Sequence, residues 1–154
     1  LSGPEPQRTR LEQKLLNALP YLNGKILLVQ GKTELLVQKQ EERLEVCSFL
    51  TSKDLAKAIA SSRRIICRSG YSTIMDLVKM NRTALLIPTP GQTEQEYLAE
   101  SLSKKGFFTT QSQKNLNLEH PDRYFLEKVD FSSWNHATKL SKTIADFLLQ
   151  CRNG

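Results

Sequence analysis

The turn at residues 68–73 contains residue types that suit a phosphate site. It reads Arg68-Ser69-Gly70-Tyr71-Ser72-Thr73 and lies between a predicted strand and a predicted helix. A glycine in such a turn lets the backbone approach a ligand, and the free N–H groups at a helix start favour phosphate. The pattern is equally typical of an ordinary strand-to-helix turn in which Ser72 caps the helix. On this segment alone, the structural interpretation is preferred.

A carboxylate follows this turn on the predicted helix. Asp76 lies six residues after Gly70. At that position an acidic side chain can accept hydrogen bonds from both hydroxyls of a ribose, as in many nucleotide sites. It can also be an exposed Asp that is stabilised by the helix dipole. Position alone leaves both interpretations open.

The loop at residues 88–96 carries amides and carboxylates in a frame stiffened by two prolines. Polar side chains on a rigid turn suit the recognition of sugar hydroxyls, which both donate and accept hydrogen bonds. Gln95 and Glu96 are the candidates. Thr93 and Glu96 also have the spacing of a capping box, which gives Glu96 a competing structural role.

No residues suggest a nucleophile, a general base or a metal site. The three cysteines, Cys47, Cys67 and Cys151, are widely spaced, and the only histidines are His120 and His136. This pattern lacks the paired ligand spacing of a zinc site, and we expect no metal or other cofactor. The cysteines are predicted to be buried small hydrophobes in a reducing, cytoplasmic protein.

Composition limits the class of protein. The chain has 154 residues, 39% of them hydrophobic, and a net charge of +6, which fits one globular domain and excludes a disordered chain. No apolar run is long enough to span a bilayer, and the first residues do not resemble a secretory signal. Residues 51–105 carry nine basic and five acidic residues without a basic run. This modest excess suits a small anion better than nucleic acid.

Short apolar runs alternate with segments of helical periodicity. Continuously apolar strands between helices predict an α/β fold, in which a parallel sheet has helices on both faces. The predicted helices cover residues 7–19, 51–59, 72–79, 93–105 and 133–151, and the predicted strands cover 25–30, 34–38, 44–49, 64–67, 84–87 and a segment beginning at 107. The strands at 25–30 and 64–67 are expected to be buried on both faces.

Ligands of such sheets lie beyond the carboxyl ends of the strands. That rule points to four segments, which are residues 3–7, Phe49-Leu50, residues 68–73 and residues 89–95. The first segment follows Leu1-Ser2, which reads as the end of a strand. We therefore expect residues 1–154 to be a single domain from a longer polypeptide.

Taken together, these segments resemble the C-terminal, donor-binding half of glycosyltransferase family 28, which includes peptidoglycan N-acetylglucosaminyltransferases and plant galactolipid synthases. The resemblance is most specific over residues 49–108 and weaker over 1–30. It rests on ordered motifs: Cys67-Arg68-Ser69-Gly70, an acid at 76, a Leu-rich strand, Pro88-Thr89-Pro90 and then Gln95-Glu96. The resemblance implies a Rossmann-like domain that forms one half of a two-domain GT-B fold.

The resemblance also implies a set of donor-binding residues. Gly3 to Gln7 would match the family's first glycine-rich loop, which faces the diphosphate, although this chain has one Gly and two Pro there. Asp76 would replace the usual Glu on the ribose, Glu96 would replace the second Gln of a pair that reads sugar hydroxyls, and Ala99 stands where relatives have Asn. The full predicted set is Gly3, Gln7, Phe49 and Leu50 (uracil edge), Arg68, Ser69, Gly70, Tyr71 and Ser72 (diphosphate), Asp76, Gln95 and Glu96.

By the same resemblance, the parent protein would move a hexosyl or N-acetylhexosaminyl group from a UDP-sugar to a glycan or lipid-linked acceptor. The acceptor site and the general base would belong to an N-terminal domain outside this chain, and the parent would lie at the inner membrane face. Three alternatives stay open: a sugar-nucleotide epimerase or hydrolase, a non-catalytic partner module with a decayed pocket, and nucleic-acid binding, which the charge pattern disfavours.

Overall fold

The structure is a computed structural model that describes residues 1–32, 38–132 and Trp134. The predicted helix at 133–151 and most of the predicted strand at 34–38 lie outside the described residues, as do Cys151 and His136. The described elements are α1 (Gln7–Asn17), β1 (Ile26–Val29), β2 (Gln38–Glu41), β3 (Leu44–Cys47), α2 (Ser52–Ser61), β4 (Ile66–Cys67), α3 (Tyr71–Lys79), β5 (Leu85–Leu86), α4 (Thr93–Lys104) and β6 (Thr109–Thr110), with short 3₁₀ turns at Leu19–Tyr21 and Pro121–Tyr124.

The described strands form two sheets of three strands, in the orders β1-β3-β2 and β4-β5-β6. All three strands of the second sheet are parallel, and so are β1 and β3, which confirms the predicted α/β class. The expected single parallel sheet is corrected in two respects, because the described strands form two sheets and β2 runs antiparallel to β3. Only two residues join these strands, and a connection that short can join antiparallel neighbours but not parallel ones.

Strand β5 has helices packed on both of its sides. Leu85 and Ile87 belong to a core cluster with Leu11 and Leu15 of α1, and this cluster also includes Leu28 of β1. Leu86 points the other way, as the two-residue period of a strand requires. It packs in a second cluster, whose other fully buried members include Ile74, Leu77, Leu98, Leu102 and Phe108 from α3, α4 and the segment before β6.

The first sheet is less enclosed than expected. Leu27 of β1 is 39% exposed, and its register partner Glu45 on β3 is exposed as well. The prediction that this strand is buried on both faces is therefore wrong for the face that carries Leu27. An apolar run identifies a strand but does not by itself show that both of its faces are covered.

None of the helices that the structure describes is both long and apolar enough to cross a bilayer.

Candidate functional site

Helix α3 begins without a side-chain cap. Its N-cap is Gly70, which has extended backbone angles (φ −69°, ψ 142°), and the carbonyl of Gly70 accepts the first helical hydrogen bond from the Ile74 N–H. The alternative in which Ser72 caps the helix is wrong, because the helix starts at Tyr71, before Ser72. Since glycine has no side-chain acceptor, it leaves the first-turn N–H groups of α3 for another partner.

The start of α3 borders an open cavity of about 510 Å³. Gly70 and Tyr71 line one side of the cavity, and residues 92–95 at the start of α4 line the other. Tyr71 is 43% exposed, so that its ring forms part of an accessible wall. The N-termini of two helices thus border one cavity. The start of α3 contributes partial positive charge to it, whereas Glu94 in the first turn of α4 places a carboxylate in its wall.

The backbone around the cavity is held by the buried side chain of Arg68. The Nε group donates to the carbonyl of Ser2 (3.2 Å), and Nη2 donates to the carbonyl of Gln7 (3.1 Å). The Nη1 group donates to the carbonyls of Ile87 (3.2 Å) and Pro88 (3.1 Å). Four of the five guanidinium N–H groups are used in this way, and the side chain is 2% exposed, so Arg68 holds the backbone and does not line the cavity. Burial lowers the pKa of Arg68 to about 10, so the side chain remains cationic at neutral pH.

Two further predicted residues connect the turn before α3 to the start of α4. The hydroxyl of Ser69, which is fully buried, donates to the carbonyl of Gln95 (2.7 Å). The side-chain oxygen of Gln95 accepts from the N–H of Thr89 (3.0 Å), and its amide nitrogen donates to the side-chain oxygen of Gln92 (2.5 Å). An amide nitrogen carries two N–H groups, so Gln95 keeps one donor for a sugar hydroxyl.

The predicted capping box between Thr93 and Glu96 is wrong. Helix α4 begins one residue earlier than that box requires, because its N-cap is Gln92 and Thr93 is already helical. The carboxylate of Glu96 still reaches back, but it accepts from the N–H of Gly91 (3.1 Å). Glu96 therefore has the structural role that its spacing suggested, with a different partner. At the other end of α4, Gly106 has φ 74°, a left-handed conformation that favours glycine after a helix.

The first loop is packed against the loop that follows β5. Gly3 has φ 111°, a conformation that favours glycine, and a Cβ atom at this position would lie 3.2 Å from the hydroxyl oxygen of Thr89. The side chain of Gln7 accepts a hydrogen bond from the buried Gln113 (3.0 Å). Both predicted residues of this loop thus make structural contacts, and neither lines the cavity.

A carboxylate that sequence reasoning did not select lies at the start of α1. Glu5 Oε2 accepts from the N–H of Thr9 (3.2 Å), and Oε1 accepts from Nε of Arg8 (3.0 Å). Hydrogen bonds from Thr9, together with the charge of Arg8, hold the pKa of Glu5 below its usual value. An acid just before a helix is the signal that could have identified this contact.

The other predicted residues lie outside the cavity lining. Asp76 is exposed on α3, one helical turn beyond Ser72, so the two side chains share one face of the helix. Phe49 and Leu50 connect β3 to α2, and Phe49 is 42% exposed. The structure places Gln92, Thr93 and Glu94 beside Gln95 in the cavity wall. They lie in the segment 89–95 to which the sequence pointed, but they were not among the predicted donor-binding residues.

The described cysteines are not placed to react. Cys47 is buried, and burial raises the pKa of its thiol. Burial raises the pKa of the Cys67 thiol to about 12. The prediction that these two residues are buried hydrophobes is confirmed for Cys47, whereas Cys67 is only partly buried. A thiol that keeps its proton is a poor nucleophile. In the described part of the chain, His, Cys, Asp and Glu side chains form no group of three that could hold a metal ion.

Comparison with known proteins identifies relatives. The family model described as "Glycosyltransferase family 28 C-terminal domain" matches residues 7–147. A protein from Sinorhizobium fredii, named UDP-N-acetylglucosamine--N-acetylmuramyl-(pentapeptide) pyrophosphoryl-undecaprenol N-acetylglucosamine transferase, is 38% identical over 77 residues, which cover 49% of this chain and 20% of that protein. A protein of the same name from Bradyrhizobium diazoefficiens is 28% identical over 89 residues, which cover 53% of this chain and 24% of that protein. Another of the same name, from Methylorubrum extorquens, is 35% identical over 80 residues, which cover 51% of this chain and 21% of that protein.

The match spans a quarter or less of the length of these curated relatives. No solved structure matches the chain significantly.

Proposed function

This chain belongs to the glycosyltransferase family 28 C-terminal domain family, and on that premise we propose that it binds the UDP-sugar donor of a glycosyltransferase. The relatives named above use UDP-N-acetylglucosamine, so the donor is a UDP-sugar of that type. The parent protein transfers the hexosyl or N-acetylhexosaminyl group to an acceptor. The observation that carries this proposal is the uncapped start of α3, which opens on the cavity between α3 and α4.

The electrostatics of this region favour an anion. The partial positive charge at the start of α3 is not neutralised by a capping side chain, because the N-cap is Gly70. Directly before the turn, the buried cation Arg68 bonds to four neutral carbonyls. A diphosphate at the start of α3 would compensate that buried charge as well as bind the free N–H groups.

The remaining donor contacts follow the family's pattern. Asp76 accepts hydrogen bonds from the ribose hydroxyls, and backbone groups of Phe49 and Leu50 bind the uracil edge. Gln95 donates its second amide N–H to the donor sugar, next to Glu96. The exposure of Asp76 on the face that it shares with Ser72 supports this arrangement, because a ligand at the start of α3 can extend along that face.

In the reaction, an acceptor hydroxyl attacks the anomeric carbon of the sugar, and the bond from that carbon to the UDP oxygen breaks. The N–H groups of α3 and the charge of Arg68 stabilise the leaving diphosphate, so we propose that donor binding needs no metal. The acceptor-binding site and the general base, which takes the proton of the attacking hydroxyl, belong to an N-terminal domain of the parent. By analogy with the relatives, the acceptor is a lipid-linked sugar, and the parent works at the inner membrane face.

Calorimetric titration of the chain with UDP tests donor binding. We expect saturable binding of UDP, weaker binding of CMP, and a loss of UDP affinity of about 10- to 100-fold in Asp76→Ala, as befits hydrogen bonds to a charged acceptor. Glu100→Ala is the matched control, because Glu100 is an exposed helical carboxylate with its own partner, Lys104. Equal binding of CMP, or an Asp76→Ala variant that binds like Glu100→Ala, would contradict the proposal.

A second titration separates a ribose contact from a general loss of charge. Wild-type protein should bind UDP more tightly than 2′-deoxy-UDP, whereas Asp76→Ala should bind the two nucleotides equally. If the preference for UDP persists in Asp76→Ala, the carboxylate does not contact the ribose.

One observation favours a second candidate function, a partner module with a decayed pocket. The side chains of Gln95 and Glu96 are hydrogen-bonded within their own loop. This module would bind no nucleotide at all. Titration with UDP distinguishes the two candidates directly.

A further inference from the structure

The cavity between α3 and α4 has one acidic side chain in its wall. Six residues of the described chain line this cavity, and they are Gly70, Tyr71, Gln92, Thr93, Glu94 and Gln95. Glu94 is the only acid among these six, and none of them is a lysine, an arginine or a histidine. A cavity proposed to bind an anionic nucleotide sugar therefore contains a carboxylate, whose position limits how such a ligand can lie.

The carboxylate of Glu94 is not used by the fold. Helix α4 contains three acidic residues, and two of them have partners: Glu96 accepts from the N–H of Gly91 (3.1 Å), and Glu100 pairs with Lys104 (2.6 Å). Glu94 is exposed, and it forms no hydrogen bond or ion pair with any residue that the structure describes. Its oxygen atoms are therefore available as acceptors to a ligand in the cavity.

The two walls of the cavity differ in electrostatic potential. On one side, the start of α3 has no side-chain cap and carries partial positive charge. On the other side, the negative charge of Glu94 lies in the first turn of α4 and offsets the partial positive charge of that helix. A ligand with an anionic part and a neutral part is therefore most stable with its anionic part at α3. The diphosphate of a nucleotide sugar then lies at the start of α3, and its sugar lies against Glu94.

We propose that Glu94 is a specificity-determining residue of the donor site, which selects nucleotides that carry a neutral sugar over those that carry a uronic acid. The proposal rests on the proposed donor binding. The Glu94 carboxylate accepts hydrogen bonds from the hydroxyls of a neutral sugar, while the neighbouring Gln95 supplies an amide donor. An ionised carboxylate on the sugar has no hydrogen to donate to Glu94, and the two negative charges repel each other.

The test is calorimetric titration with UDP-N-acetylglucosamine and with UDP-N-acetylglucosaminuronic acid. These ligands differ only at C6 of the sugar, which is a hydroxymethyl group in one and a carboxylate in the other. The ratio of their dissociation constants therefore cancels any effect on the UDP part that they share. We expect wild-type protein to prefer the neutral sugar about tenfold, and Glu94→Gln to reduce this preference about threefold to tenfold. The wild-type preference should shrink in about 0.5 M salt, because mobile ions screen exposed charges.

Two further variants separate this role from a structural one. Glu94→Asp keeps the negative charge in the same helical turn, so it should keep a preference for the neutral sugar. Glu100→Gln removes the charge of an exposed acid on the same helix that does not line the cavity, and it should leave the preference unchanged. Thermal unfolding shows whether each variant is folded. If Glu94 only stabilised the start of α4, Glu94→Gln would have a lower melting temperature but an unchanged preference.

The outcomes separate the two proposals. If wild-type protein binds UDP but Glu94→Gln has the same preference as wild-type protein, the proposal for Glu94 is overturned and donor binding stands. An equal loss of preference in Glu100→Gln would also overturn it, because that side chain lies outside the cavity wall. If neither wild-type protein nor any variant binds UDP, both proposals fail.

Discussion

The starts of α1 and α3, which Arg68 connects, differ in one respect: the chain supplies a carboxylate to a first-turn N–H of α1 but not to those of α3. At the start of α1, Glu5 supplies a carboxylate that accepts from a first-turn N–H. At the start of α3, Gly70 supplies none, and the helix start borders a cavity. Like every α-helix, each of the two carries partial positive charge at its N-terminus. The difference shows that a helix start is available to a ligand only where the chain does not satisfy it internally.

The two starts are also coupled. Arg68 donates to backbone carbonyls of the first loop (Ser2 and Gln7) and of the loop after β5 (Ile87 and Pro88). It thereby fixes the start of α1, which is closed by Glu5, relative to the start of α3, which is open because no side chain caps it. Three kinds of substitution test this difference. One removes the Arg68 side chain that connects the two helix starts, one places a carboxylate at the start of α3, and one changes a side chain of β4, the strand before α3.

The largest expected effect is that of Arg68→Met, which removes the coupling. The change removes the Arg68 donor from four carbonyls, of which that of Gln7 keeps a hydrogen bond from Gln113 (3.2 Å), and each buried carbonyl left unpaired costs about 1–3 kcal/mol. We expect a loss of about 3 kcal/mol or more in the free energy of unfolding, measured by urea denaturation, together with weaker UDP binding. The control is Arg63→Met at an exposed arginine nearby. Equal stability of the two variants would show that Arg68 does not couple the loops.

Gly70→Asp should make the start of α3 resemble that of α1. The backbone angles of Gly70 suit any residue, and a Cβ there meets only the Thr73 hydroxyl, at 4.0 Å. An aspartate at the N-cap accepts from a first-turn N–H, so stability should be unchanged or higher by a few tenths of a kcal/mol. UDP affinity, measured by calorimetry, should fall about 10- to 100-fold.

Gly70→Asn is the control for that charge, because asparagine caps a helix as well as aspartate does but is neutral. We expect the UDP affinity of Gly70→Asn to lie between those of wild-type protein and Gly70→Asp. If all three bind UDP equally, the start of α3 does not bind the diphosphate.

The smallest expected effect is a fall in stability at high pH, caused by the thiol of Cys67 in β4, the strand before α3. The pKa of Cys67 is about 12 in the folded protein and ordinarily about 9, so above pH 9 the unfolded chain loses a proton that the folded chain keeps. Stability should therefore fall between pH 9 and 10, by about 1 kcal/mol. The lowered pKa of Arg68, about 10, acts in the opposite direction only above pH 10.

Cys67→Ala should remove this part of the decline. Thermal unfolding at pH 8, 9 and 10 measures it, with Cys47→Ala as the comparison, because burial raises the pKa of that thiol too but to a smaller extent. A decline between pH 9 and 10 that is the same in wild-type protein and Cys67→Ala would show that the Cys67 thiol is not buried as described.

The elements that follow from local chemistry were predictable. The predicted helix at 72–79 is α3, which starts one residue earlier, and its apolar residues Ile74, Leu77 and Val78 are buried. The predicted helix at 51–59 is α2, and its cap is Thr51, whose hydroxyl accepts from the N–H of Asp54 (3.2 Å). Such features depend on residues within one or two helical turns, so the sequence contains the necessary information.

The partners of long polar side chains were not predictable. Glu96 has the spacing of a capping box with Thr93, yet it bonds to Gly91. Arg68 was predicted at the diphosphate, and most of its donors instead contact backbone from distant segments. A flexible side chain reaches several acceptors, and the choice among them depends on where the fold brings other loops.

The sequence by itself determined the α/β class, the order of the elements, and two of the segments that border the cavity (68–73 and 89–95), because apolar periodicity and glycine or proline positions act locally. Only the tertiary structure decided that the start of α1 is closed by Glu5 and that of α3 is open. Whether a helix start is closed or open depends on which side-chain acceptor the packed loops bring within reach of its N–H groups. A carboxylate can meet the positive end of a helix only after the loops have packed together.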